Sequence, residues 1–411
     1  MEDIDCIQVN VFLNMSYRME SINKIALIFE GTLKNDARVL REVTSLSEKW
    51  DINVFSSNVG EEENQSIPTN VKVIPYELSQ RWLYRNVFFG KKYSSLLKII
   101  NPFDYCALIC IDYPTLQLGY KLKKINPKLK LIYDSHEIYI ETINQFFPRS
   151  GWKKIYGVPL IKINQFLHSK KEKRFIQSVD IKVTVCESLR KYFLKKLRAD
   201  FLVLRNCPSL THIKEINEEE KSSKRADFNI ANNDFLLLYQ GDINPGRGLF
   251  IMLEVMKQLP SNFKFIVLGN GMLLPTLKDK CKNESIKNVQ FLGRVPYKDL
   301  MAYTQIADLG INLIEPINES KRLSLPNKLF EYMSVGVPFL SNDLPEPKLL
   351  VEKYNCGVLV DYSDTQSIVD RIQELSKNKS LLKNLGSNGQ KAIQEELNWT
   401  VELEGLMKEL A

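Results

Sequence analysis

The sequence has no apolar run near the roughly 18 to 20 residues that a membrane-spanning helix needs, and it opens without a basic stretch leading into an uninterrupted apolar core and a small-residue cleavage site. The expectation is a cytoplasmic chain, neither secreted nor integral to a membrane. Its seven cysteines are scattered, odd in number and without a C-x-x-C pair, and the only histidines are His136, His168 and His212. That scarcity argues against a disulfide framework and a structural zinc site, and it fits a reducing compartment.

What is present is a long chain of ordinary composition. At 411 residues, 44% of them hydrophobic, it exceeds what one hydrophobic core usually supports, so two domains are expected. Charge is unevenly placed. Residues 80–206 hold 25 Lys+Arg against 9 Asp+Glu, a net of +16 in a chain whose total is +7. Such an excess is read either as a solvated basic face or as attraction to an anionic surface. Aromatics are interleaved with the basic residues at Arg81, Trp82, Arg85, Lys91 and Lys92, and again at Trp152, Lys153 and Lys154. This composition suits the headgroup region of an acidic bilayer and makes these residues candidates for peripheral membrane contact. Nucleic acid is a poor fit, because the surrounding pattern alternates strands and helices without a stacking or groove-binding motif.

Residues 1–22 show no clear period and are set aside as an extension. From Lys24 short apolar runs alternate with helix-length segments: Ile25 to Phe29, Ile52 to Ser56, Val71 to Ile74, Ala107 to Ile111, Leu129 to Tyr133, Ile181 to Val185 and Phe201 to Leu204. Strands buried on both faces and separated by helices predict a parallel, doubly wound sheet over residues 23–208. Residues 209–233 turn polar, with Glu218 to Arg225 at their centre, and read as an interdomain linker. A second α/β series spans 234–395, with strand candidates at Phe235 to Tyr239, Phe263 to Leu268, Val289 to Leu292, Leu309 to Leu313, Val337 to Leu340 and Gly357 to Val360. Residues 396–411 are read as a terminal helix that packs back on the first domain. Two such domains are expected to face each other across a cleft at the carboxyl ends of their strands.

The segment Leu325 to Pro338 is the most informative. Pro326 opens a helix and Gly336-Val337-Pro338 closes it. The helix start offers free backbone N–H groups and a partial positive charge to a diphosphate, and Lys328 adds a full charge. Glu331, one turn further in, is suited to accept two hydrogen bonds from a ribose cis-diol; the plainer alternative is a capped helix whose glutamate faces solvent. A strand running into Gly241-Asp242-Ile243-Asn244-Pro245-Gly246-Arg247-Gly248 supplies small residues for close approach to phosphates and an arginine for bidentate contact. This is not a Walker loop. In the first domain His136 follows a strand directly, at the position from which side chains reach a cleft.

Taken together, these segments resemble the family 4 glycosyltransferases, specifically the bacterial group 1 branch with a Pro-Asn-Lys-Leu-Phe-Glu-Tyr motif. Pro326 to Met333 with Gly336 to Pro338 is similar to that family's donor-site motif. Asp36-Ala37-Arg38-Val39 resembles the Asp-x-Arg-Val of its first helix, Asp134 to Glu137 its Asp-Ser-His-Glu, Val289 to Val295 its base-binding turn, and Gly357 to Asp361 a strand near its end. The resemblance implies an α/β GT-B fold of two Rossmann-like domains. It also implies transfer of a sugar, with retention, from a nucleotide-diphosphate donor to a saccharide or lipid-linked saccharide acceptor. His136, Arg247 and Glu331 are then the catalytic candidates, and Gly31, Gly241, Arg294, Val295, Ser324, Asn327, Lys328 and Glu331 the donor-binding ones. No metal and no separate cofactor are implied. Two positions depart from the family: Leu323 stands where a donor-sugar glutamate is common, and Asp242 where an arginine often follows the glycine.

By analogy, the acceptor attacks from the face the leaving group departs, through an oxocarbenium-like step in which the phosphate takes the acceptor's proton. Charge stabilisation on that phosphate is the chief physical demand. The rival readings are a sugar-nucleotide epimerase on a similar scaffold, which calls for more acid and base groups than this histidine-poor chain offers, and a non-catalytic nucleotide-sugar-binding protein.

Overall fold

The computed structural model describes residues 22–410 apart from 34–35, 58–66, 80–91, 143–152, 211–212 and 214; the side chains of residues 142, 153–161 and 297–298 are likewise outside the description. Every expected strand forms. The first seven are β1 (Lys24–Phe29), β2 (Asp51–Ser56), β3 (Val71–Pro75), β4 (Ala107–Ile111), β5 (Lys130–Ser135), β6 (Ile181–Thr184) and β7 (Leu202–Val203), and they lie in the order β3-β2-β1-β4-β5-β6-β7. The next six are β8 (Phe235–Gln240), β9 (Phe263–Leu268), β10 (Val289–Gly293), β11 (Leu309–Asn312), β12 (Phe339–Asn342) and β13 (Gly357–Val360), in the order β10-β9-β8-β11-β12-β13. Paired strands run parallel: Ile25 sits between Ile52 and Ala107, and Leu237 between Phe265 and Leu309.

Parallel strands cannot be joined by a tight hairpin, so each is followed by a crossover, and helices on both faces bury the sheet. Leu236, Leu237 and Leu238 are accordingly all buried, although consecutive residues point to opposite faces. In chain order the helices are α1 (Ala37–Leu46), α2 (Asp112–Ile125), α3 (Tyr139–Thr142), α4 (Lys153–Phe175), α5 (Glu187–Leu197), α6 (Glu218–Asp227), α7 (Leu249–Gln258), α8 (Leu274–Asn283), α9 (Tyr297–Thr304), α10 (Glu319–Arg322), α11 (Asn327–Ser334), α12 (Pro345–Tyr354), α13 (Thr365–Lys377), α14 (Lys379–Glu395) and α15 (Trp399–Leu410).

The chain divides into two compact units, Met1–Asp134 with Lys154–Lys182 and Ser135–Lys153 with Val183–Ala411. The polar segment expected to be a linker contains α6. Its Asn217 cap accepts from the Glu220 amide at 2.8 Å while the Glu220 carboxylate accepts from the Asn217 amide at 2.9 Å. This reciprocal capping, with acidic residues in the first turn and basic ones in the last, stabilises a helix that buries none of its residues. In the second unit α15 lies along β7. Arg205 pairs with Glu402 at 2.8 Å, and a Cβ on Gly405 would come within 3.1 Å of Leu202.

The order of strands reverses between β1 and β4 in one sheet and between β8 and β11 in the other. In open parallel sheets the loops diverge at such a point and leave a crevice at the strands' carboxyl ends. The carboxyl end of β8 is Gln240.

Candidate functional site

At the carboxyl end of β8 the second unit contains two adjoining recesses. One, of about 350 Å³, is lined by residues that include His136, Glu137, Arg247, Lys321, Lys328 and Glu331. The other, of about 530 Å³, is lined by the turns at Gly269-Asn270-Gly271 and Arg294-Val295. Both share Gln240, Gly241 and Asp242. Together they have the size of a small-molecule site. Gly241 sits at the junction with a φ of +125°, a conformation side chains rarely adopt.

The helix start expected from Pro326 is present. Pro326 is the cap of α11, in extended conformation with φ −70° and ψ 130°, and Asn327 is the first helical residue. From there Lys328 points inward and Glu331 follows one turn on. The Lys328 ammonium is buried, lies 3.5 Å from the centre of the Tyr239 ring and has no hydrogen-bond partner among the described residues. Its pKa is pushed well down, first by burial and then by the Arg247 guanidinium and the Lys321 ammonium, against the opposing pull of Glu331 and Asp242. A buried donor without an acceptor is costly. An anion in the recess would supply what it lacks.

Glu331 does not face open solvent in the manner of the plainer alternative. It is half-buried, lines the recess, and its carboxylate accepts from the Gln240 side-chain amide at 2.5 Å. The Gln240 amide oxygen accepts in turn from Thr304 Oγ1 at 2.9 Å. His136 reaches the same recess, beside a turn in which Ser135 Oγ donates to the Glu137 carbonyl at 3.1 Å.

Of the remaining expected donor contacts, Gly241, Ser324 and Asn327 line the first recess with Arg247, and Arg294 and Val295 line the second. Gly31 belongs to the first unit, in the turn after β1, where its φ is +143°. Within the glycine-rich loop, Gly248 answers to the packing of the chain itself. A Cβ on Gly248 would lie 2.0 Å from the Leu313 carbonyl oxygen, so this glycine is required by the protein's own backbone. Leu323 is buried and is not among the residues lining the recess; its carbonyl accepts from Cys186 Sγ at 3.3 Å.

Sequence reasoning missed Lys321. It stands two residues before Leu323 on the short helix α10, and its pKa is lowered by burial and then by Arg247. Its backbone is tied down, with its N–H donated to Asn318 at 2.8 Å and its carbonyl accepting from Ser324 at 2.8 Å. Gln240, Tyr239 and Glu137 were also given no role, because nothing in their local pattern marks them beyond the end of a strand.

Among the membrane candidates, Lys92 requires a correction: it is buried and its ammonium pairs with Glu30 at 2.6 Å, so it is spent on an internal ion pair rather than presented to a surface. Arg81, Trp82, Arg85, Lys91 and Trp152 lie outside the described residues, as do the side chains of Lys153 and Lys154. No helix among the described residues is long and apolar enough to cross a membrane.

Residues 220–392 match the family model of the glycosyl transferases group 1. The matched residues contain the whole six-stranded sheet together with Arg247, Arg294, Lys321, Lys328 and Glu331. The chain is 23% identical to an uncharacterized glycosyltransferase of Methanocaldococcus jannaschii, over 49% of this chain and 57% of that protein. It is 23% identical to the amylovoran biosynthesis glycosyltransferase AmsK of Erwinia amylovora, over 44% of this chain and 45% of the relative. It therefore spans about half the length of these curated relatives. Among solved structures it resembles Anabaena HepE in complex with UDP and glucose, with a TM-score of 0.71 and 15% identity, over 94% of this chain and 99% of that one. The fold is GT-B: two Rossmann-like α/β domains, each built on a parallel sheet.

Proposed function

We propose that the protein is a retaining glycosyltransferase that binds a nucleoside-diphosphate sugar in the two recesses around Gly241 and passes the sugar to a polysaccharide or lipid-linked saccharide. The observation that carries this reading is the buried Lys328 amine, which has no hydrogen-bond partner among the described residues, set beside Arg247 and Lys321 and next to a Glu331 carboxylate held by Gln240. Three cations on one wall match a diphosphate, and a fixed carboxylate matches a ribose diol. The turn at Arg294-Val295 would then receive the base, and His136 would stand near the transferred sugar.

In the proposed reaction the bond between the sugar's anomeric carbon and the phosphate oxygen breaks, with its electron pair staying on the phosphate. The acceptor hydroxyl forms its bond to the same face of that carbon, and its proton passes to the departing phosphate oxygen. Arg247, Lys321 and Lys328 lower the barrier by holding the charge that develops on the nucleoside diphosphate, with no metal in the scheme. UDP is the first nucleotide to try, because the HepE structure is a complex with UDP and glucose. An acceptor presented at the inner face of the plasma membrane fits the charge excess of residues 80–206.

A thermal-shift and turnover series with UDP, GDP, ADP and their sugar conjugates tests the reading. Stabilisation of the wild type by one nucleotide, lost in Glu331→Ala and Arg247→Ala, supports the assigned pocket. No stabilisation by any of them well above usual affinities would sink it, and binding without turnover or hydrolysis would favour the non-catalytic alternative that Leu323 and Asp242 keep open.

A further inference from the structure

One face of α4 leaves large apolar side chains in water. Ile163, Phe166 and Leu167 are 55%, 58% and 49% exposed, and at spacings of three, one and four residues they fall on one side of the helix. The opposite side is buried through Asn164, His168 and Glu172, so this exposed stripe is additional to the face that packs on the fold. Three adjacent apolar side chains of this size on one helix are more than the scatter of single apolar residues normal on a soluble surface.

The charges around the stripe have one sign. Lys162, Lys170, Lys171, Lys173 and Arg174 are exposed, and the only acidic residue between 162 and 174, Glu172, is buried. Lys170 lies over the Phe166 ring at 4.4 Å, folding its stem along the apolar stripe. The basic surface continues onto the end of α2, where the Tyr120 and Phe175 rings meet at 4.6 Å, Lys124 lies 4.9 Å from the Tyr120 ring, and Ile125 is 53% exposed.

We infer that this face of α4 docks on an anionic lipid bilayer. A helix that lies in the headgroup plane buries a few apolar side chains to the acyl boundary while flanking lysines reach the phosphates along their own stems. Each Lys or Arg near such a surface adds to the attraction. A nucleic acid would use the cations but would leave Ile163 and Leu167 in water. An acidic protein would need a groove, whereas the stripe is a ridge on a single helix. The inference deepens the proposal of a membrane-presented acceptor by naming the surface. It replaces Lys92, which the fold has buried.

Co-sedimentation with vesicles tests it, using phosphatidylcholine alone and phosphatidylcholine mixed with phosphatidylglycerol, at low and high salt. The wild type should bind the phosphatidylglycerol vesicles and release them as salt rises. Ile163→Glu with Phe166→Glu, and separately Lys170→Glu with Lys173→Glu, should each weaken binding by about tenfold or more with an unchanged melting temperature. Equal binding to both vesicle types, binding that survives the Phe166 and Ile163 changes, or a wild-type dimer that those changes convert to a monomer without any vesicle binding would each overturn the inference. Vesicle binding is read without a donor, so it stands or falls separately from nucleotide-induced stabilisation measured on the same samples.

Discussion

Gln240 ends β8 and donates its side-chain amide to Glu331 on α11, and so ties the central strand of the second sheet to the helix that carries the proposed ribose-binding carboxylate. The glutamine is buried, and its oxygen is engaged by Thr304. A carboxylate held in this way is kept at the recess it lines instead of rotating among solvent orientations. Preorganisation of this kind contributes to affinity by removing an ordering cost.

Gln240→Ala should therefore weaken nucleotide binding by about tenfold, in keeping with the loss of a hydrogen bond to a charged group. The loss should be the same for uridine and UDP, because the ribose contact is common to both. Isothermal titration with the two ligands checks this. A loss confined to UDP would place Gln240 against the phosphates and contradict the arrangement.

The second structural pair joins two segments far apart in the chain. Arg38, on α1, makes a two-pronged contact with Asp134 near the end of β5, with Nη2 to Oδ1 at 3.0 Å and Nε to Oδ2 at 3.2 Å, and both residues are almost fully buried. Removing one partner takes the ion pair away from a charge that stays desolvated, so Arg38→Ala and Asp134→Asn should each cost about 3 to 5 kcal/mol. Chemical denaturation measures the cost. Replacing both residues with apolar ones of similar size should cost less than either single change, and a double variant worse than both would refute this account.

The strands were legible in the sequence because each is a short aliphatic run buried on both faces, a pattern with few alternatives once helix-length segments separate the runs. Ala107–Ile111, Phe263–Leu268 and Gly357–Val360 form over the residues the hydrophobic pattern marks. The helix start at Pro326 was legible for a similar reason, since proline lacks the N–H that a first turn leaves unpaired. What was not legible depends on tertiary distance. Lys321 becomes a pocket residue only because the loop after β11 brings it beside Arg247, and Lys92 becomes an internal cation only because Glu30 lies across from it. Composition read the Glu218 to Arg225 stretch as linker, whereas its charge order, acidic first and basic last, is that of a capped helix that needs no core.

Glu172 gives a pH-dependent prediction. Burial, with a smaller contribution from Asp112, pushes its carboxyl up to about 7, against the opposing hydrogen bond from the Tyr133 hydroxyl at 3.1 Å. The folded protein then holds a proton that the unfolded chain gives up near its ordinary value of 4.5. Stability from this group is present below the unfolded value and is lost as pH rises through about 7. The loss is on the order of 3 kcal/mol. Glu172→Gln should be more stable than the wild type above that range and close to it in mild acid. Parallel stability profiles for the two proteins would show that Glu172 titrates normally.

Lys328 sets function against stability. Its buried amine has no hydrogen-bond partner among the described residues, a state that costs about 1 to 3 kcal/mol. Lys328→Met fills the same space without the polar atom and should raise the denaturation midpoint while weakening UDP by about tenfold or more. The pH behaviour separates this from a simple packing effect. With its folded pKa depressed, the protein binds fewer protons at Lys328 than the unfolded chain does, so stability from this group rises with pH between the depressed and the ordinary value. A phosphate beside the amine favours its charged form, so UDP binding should take up a proton, and affinity should fall as pH rises through the depressed value. Calorimetry in buffers of different ionisation enthalpy reads that proton directly. Proton uptake in the wild type and its absence in the methionine variant would assign the diphosphate to Lys328. Equal uptake in both proteins would move the diphosphate elsewhere in the recess, toward Arg247 and Lys321.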